Sequence, residues 1–97
     1  MKIIDFEPSF WFLLSEENNF FMDVNCNYSS IGFSRLIKLN ESEIIAFQKK
    51  GTEYLNSLAN DVQFYAFTKY NERNISGEIE KVVYETILKF NQENNFS

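Results

Sequence analysis

Paired carboxylates are the residues best placed for chemistry in this chain: Glu16-Glu17, Glu41 with Glu43, and Glu78 with Glu80. Two carboxylates share acid–base work when burial raises the pKa of one above the other. Glu16-Glu17 lies in the polar stretch Ser15-Glu16-Glu17-Asn18-Asn19, which reads as a turn. The other two pairs open helices, where negative charge suits the dipole. Solvation and capping therefore account for all three. Asp23, Asn25 and Asn27 alternate as calcium ligands would, but no closing Glu follows at the right distance. On a strand they share one face, which suits a polar recognition surface. Ser34 and Ser57 lack a nucleophile elbow and a partner base. Cys26 is the only cysteine and there is no histidine, so no triad, His general base or histidine-bearing metal site can form. A lone thiol with no partner for a disulfide fits a reducing compartment and reads as a small buried hydrophobe. No phosphate-binding glycine loop occurs. The expectation is a protein that is not an enzyme and takes no cofactor and no metal.

Charge narrows the partner. The 97 residues carry a net charge of −5, with 14 acids against 9 bases. Nucleic acid needs a basic patch, and Lys38, Lys49 and Lys50 read as solvated strand-end and helix charges, so no nucleic-acid partner is expected. The longest apolar run, Phe10 to Leu14, is too short to span a bilayer. Acidic Asp5 and Glu7 oppose a secretory leader, and the reading is cytoplasmic with no membrane partner. Residues 1–30 set Lys2 alone against Asp5, Glu7, Glu16, Glu17 and Asp23. An acidic surface mixed with aromatics such as Trp11, Phe21, Tyr28, Tyr65 and Tyr70 combines electrostatic steering with anchors. The expected partner-binding residues are Glu16, Glu17, Asp23, Asn25 and Tyr28, with Trp11 and Glu72 beside them.

These residues need a scaffold. Phe10 to Leu14 reads as one strand, and Phe20 to Cys26 alternates with Phe20, Met22, Val24 and Cys26 inward and Phe21, Asp23 and Asn25 outward. Two such runs around a polar loop predict a β-hairpin. After Asn27-Tyr28-Ser29-Ser30, a third strand runs from Ile31 to Leu39 with a bulge near Arg35-Leu36, and residues 2–6 add an edge strand. Asn40 caps a helix with Glu43 reaching back, an Asn form of the capping box. Ile44, Phe47, Gly51, Tyr54, Leu55, Leu58 and Val62 give that helix one apolar face. Gly51 falls mid-helix, as a close approach to the sheet would require. A second helix starts near Ser76 with the stripe Ile79, Val82, Val83, Thr86, Ile87 and Phe90. Residues 63–70 are ambiguous between helix extension and strand, with strand favoured by the aromatics. The predicted class is α+β: one domain over residues 1–97, an antiparallel meander of three to five strands (about 10–39) with two amphipathic helices (about 41–60 and 77–91) packed on one face.

Phe10-Trp11-Phe12-Leu13-Leu14, Phe21-Met22-Asp23-Val24-Asn25-Cys26, Gly32-Phe33-Ser34 and Leu39 with Glu43 and Gly51 together resemble small immunity proteins of bacterial contact-dependent growth inhibition and related polymorphic toxin systems. The resemblance spans roughly residues 10–60 and rests on structural positions. It implies a cytosolic protein that binds a cognate toxin domain, often a nuclease, and blocks it. An acidic inhibitor suits such a target, because nuclease sites are basic to accept phosphate. The expected function is therefore neutralisation of a basic toxin domain. The rival is a self-associating structural or adaptor protein, a homodimer through the open sheet face.

Overall fold

The structure, a computed structural model, describes residues 1–28 and 31–94; the side chains of residues 27, 28 and 31 lie outside the described set. Four strands form an antiparallel meander in the order of the chain: β1 (Lys2–Glu7), β2 (Trp11–Glu16), β3 (Asn19–Tyr28) and β4 (Ile31–Lys38). Three helices follow among the described residues: α1 (Glu41–Lys50), α2 (Thr52–Phe64) and α3 (Glu78–Asn94). The α+β meander with helices against its sheet is the class the pattern predicts.

Both faces of the sheet are covered, and this explains where the alternation misleads. Leu13, Met22 and Ile37 are direct cross-strand neighbours, as are Leu14 with Phe21 and Phe12 with Asp23 and Leu36. Directly opposed residues share a face, so Leu13 and Leu14 point to opposite sides. The Leu13 side packs with Leu55, Leu58, Ala59 and Val62 of α2 in the larger core. The Leu14 side packs with Val83 of α3 in a second cluster, flanked by Ile75, Ile79 and Ile87. The α1–α2 pair thus occupies one face, as expected of the helices, whereas α3 occupies the other. The face expected to be open is closed by α3, and Phe21 is buried there.

Helix α1 begins as read, with both halves of its capping box formed: Glu43 N–H donates to Asn40 Oδ1 and Asn40 N–H to Glu43 Oε1, each at 2.9 Å. The long first helix is, however, broken at Gly51, whose φ of 63° and ψ of −139° end α1 and start α2. A Cβ at Gly51 would meet nothing within 4 Å. Backbone conformation, not close approach to the sheet, is what requires glycine there. The bulge expected at Arg35-Leu36 is absent: β3 and β4 pair without a break from Phe21↔Lys38 to Tyr28↔Ile31. Arg35 and Leu36 are both buried because they face opposite covered sides. A register shift falls instead at Ile4, between Ile3 and Asp5 of the edge strand. Of residues 63–70, ambiguous between helix extension and strand, Gln63 and Phe64 end α2, and the rest form no strand but begin the turns that run from 65 to 73. Their continuation lies along β4: Ile75 N–H donates to Leu36 O at 2.8 Å and Leu36 N–H to Asn74 Oδ1 at 3.1 Å.

Candidate functional site

The residues singled out as partner-binding do not converge on one spot. Glu16 and Glu17 stand at the β2–β3 turn, where Glu16 opposes Asn19 and Glu17 takes a φ of 57°. Both side chains are exposed, and the terminal ammonium of Met1 lies 3.6 Å from Glu16. Asn25 is exposed toward the other end of β3, its amide donating to Ser9 O. Ser9, Asn25, Gly32, Phe33 and Ser34 line a shallow cleft there. Tyr28 pairs by its backbone with Ile31, and its side chain is outside the described residues. Glu72 is exposed in the turns after α2.

Trp11, Tyr70 and Asp23, all expected at the surface, are buried. Trp11 is 1% exposed in the α2-side core, and its indole N–H donates to Asn56 Oδ1 at 2.9 Å, so it is a packing residue and not an exposed anchor. Tyr70 is buried in the same core. Asp23 points, as its alternation predicts, to the side away from Val24, but α3 covers that side and leaves Asp23 only 7% exposed. Its row neighbours are Phe12 and Leu36, both apolar. Burial, and then repulsion by Glu80 on the first turn of α3, raise its carboxyl pKa to about 6. A carboxylate held without an opposing cation is costly, and perturbed groups of this kind gather at functional sites. The sequence did signal Glu80, but only as a helix-dipole acid; its approach to Asp23 depends on which face α3 covers. Beside them the hydroxyls of Ser34 and Tyr84 are 3.2 Å apart, bridging β4 and α3.

A second polar cluster, absent from the expected set, lines a cleft between α1, α2 and the turns that follow. The Arg73 guanidinium donates to both oxygens of Glu43, at 2.6 and 2.9 Å, and to Lys38 O at 2.8 Å. Asp61 accepts from the Tyr70 hydroxyl and, at 2.9 Å, from Lys69. Burial works against the Asp61 carboxylate, yet the hydrogen bonds from Tyr70 and Lys69 hold its pKa below the ordinary value. Burial, together with the bond to Asp61, pushes Tyr70 up. Every charge in this cluster is matched, which is the signature of a structural clamp rather than of a reacting group. Cys26 is fully buried and burial raises its pKa, so the thiol is unreactive. No group of three or more His, Cys, Asp or Glu residues is arranged to hold a metal ion among the described residues. Nor, among them, is any helix long and apolar enough to cross a membrane.

Of the two buried acids, Asp23 and Glu43, Glu43 has an ion pair among the described residues and Asp23 has none; Glu80 stands beside Asp23 on the α3 side of the sheet, and Glu17 is exposed on the hairpin tip. No protein-family model matches the chain, and no curated protein or solved structure matches it significantly.

Proposed function

We propose that the protein is a non-enzymatic, cytoplasmic immunity protein that binds a basic, nuclease-type toxin domain and neutralises it. One observation carries this reading: Asp23 is a nearly buried carboxylate with apolar row neighbours and a like-charged neighbour in Glu80. Such a group weakens the folded chain, and a partner cation arriving between Asp23 and Glu80 removes that penalty. A toxin Lys or Arg fits the requirement. The exposed Glu16 and Glu17 then act at longer range, steering a basic surface toward the sheet. The left-handed backbone of Glu17 supports a role for the tip, because strain retained at a non-glycine residue marks positions kept for reasons other than stability.

The self-associating alternative called for an open sheet face. That face is occupied by Val83, Ile79 and Ile87 of α3, so the reading has no observation in its favour.

The test is binding to a purified toxin domain with a basic surface, encoded beside the gene for this chain. Charge reversal of Glu16 and Glu17 to Lys is expected to slow association and flatten its salt dependence, with dissociation nearly unchanged. Asp23→Asn is expected to stabilise the chain alone while weakening the complex by about tenfold or more. Opposite signs on stability and affinity separate a binding carboxylate from a structural one. Unchanged affinity and salt dependence in all these variants would refute the proposed surface.

A further inference from the structure

Arg35 is a second buried charge with no ion pair among the described residues, on the opposite face of the sheet from Asp23. It closes the row Trp11–Val24–Arg35 and is 9% exposed. Its Nε is buried with no acceptor, and none of the ion pairs among the described residues includes it. The other cations in this part of the molecule are matched: Arg73 by Glu43, and Lys69 by Asp61. Arg35 has aromatic rings instead. Its guanidinium carbon lies 5.2 Å from the centroid of Phe33 and 5.8 Å from that of Phe67. Ring faces attract a cation but supply no hydrogen-bond acceptor comparable to a carboxylate.

The rim of this site is apolar and turned outward. Phe64 is 75% exposed, Phe67 59% and Tyr65 40%, all at the end of α2 and the turn beyond it. Arginine and large aromatics are the side chains that dominate binding energy at protein interfaces. A carboxylate brought to Arg35 would meet it in a poorly solvated setting, where the attraction is stronger than in water. A basic segment would be repelled. We propose that this patch docks a protein segment presenting an Asp or Glu carboxylate next to a large apolar side chain. The carboxylate pairs with Arg35, and the apolar side chain lies over Phe67 and Phe64. The site is on the other face from Asp23 and does not rest on the immunity reading.

The probes are two capped peptides, acetyl-Phe-Asp-Leu-amide and acetyl-Phe-Asn-Leu-amide, titrated into the full isotope-labelled chain while the Arg35 side-chain N–H resonance is followed. The Asp peptide is expected to shift that resonance saturably, and the Asn peptide to bind about tenfold more weakly or less. Phe67→Ala should weaken the Asp peptide several-fold. Arg35→Gln should abolish the preference for Asp over Asn while melting no lower than the parent chain. Equal binding of the two peptides, no saturable shift with either, or an Asp preference that survives Arg35→Gln would overturn the proposal. So would a concentration-dependent dimer in sedimentation that Phe67→Ala dissolves, which would assign the patch to a second copy. The comparison of the two peptides on the unaltered chain decides the matter even if a variant fails to fold.

Discussion

A carboxyl flanked by Phe12 and Leu36 and facing Glu80 gives up its proton reluctantly, and that has a measurable sign. The pKa of Asp23 stands at about 6 in the folded chain against an ordinary value of 3.8. Between those values the folded state holds more protons than the unfolded one, so its stability falls as pH rises. Below the ordinary value both states are protonated and the loss disappears. Asp23→Asn, which cannot ionise, should therefore be more stable than the parent at pH 7 by about 3 kcal/mol and equal to it at acid pH. Urea unfolding of both chains across that range measures the difference; a gap that does not change with pH would show that Asp23 is not the titrating group. Glu17 gives a second residue-scale expectation. Its φ of 57° lies where glycine is at ease and other L-residues are strained. Glu17→Gly should raise stability by about 0.5 kcal/mol after the entropy cost of glycine, read as a small upward shift in the urea midpoint. The strand alternation did identify the side to which Asp23 points. It could not identify burial, because the cover comes from Val83 and Ile79, some sixty residues later in the chain.

Elements whose ends are fixed by local chemistry were legible, and those fixed by distant partners were not. The capping box of α1 requires only Asn40 and Glu43, three residues apart, and it forms as read. Gly51 showed itself as an anomaly in an apolar periodicity, but spacing alone cannot tell a glycine inside a helix from one between two helices. The distinction reverses a prediction. A mid-helix glycine replaced by alanine gains about 1 kcal/mol, whereas at φ 63° and ψ −139° the replacement is strained. Gly51→Ala is expected to cost about 1–3 kcal/mol despite the empty space around it, and thermal unfolding gives the sign directly. The segment after α2 misleads because its aromatics favour a strand by local propensity alone. Its conformation is set by Arg73, which grips Glu43 of α1 and the Lys38 carbonyl of β4. Removing one partner of a well-desolvated pair leaves the other uncompensated. Arg73→Ala should cost about 2 kcal/mol and speed hydrogen exchange at the Leu36 and Ile75 amides, which this segment pairs along β4. Normal protection of those two amides would show that the segment is held by Ile75 packing alone.

At the scale of the molecule, a sheet covered on both faces carries two cores of unequal size. The α2 side joins Trp11, Leu13, Met22, Val24 and Ile37 to Leu55, Leu58, Ala59 and Val62, with Tyr70 and Ala66 closing it. The α3 side rests on the smaller set Leu14, Phe21, Leu36 and Val83, and it also carries the unfavourable Asp23–Glu80 pair. Both edges of the sheet are guarded: β4 by Asn74 and Ile75, and β1 by the irregularity at Ile4 with charges at Lys2, Asp5 and Glu7. Opening should then proceed by release of α3, since apolar burial sets local stability. Native-state hydrogen exchange is expected to find the α3 amides opening at lower free energy than those of α2 and the central strands. Val83→Ala should lower the α3 opening free energy by about 1–2 kcal/mol and leave the α2 amides closer to their parent values. Asp23→Asn should move α3 in the opposite direction. Uniform protection across α2 and α3, changed equally by both substitutions, would instead make the chain a single cooperative unit. In that case the strain at Asp23 would be spread over the whole molecule and not stored beneath one helix.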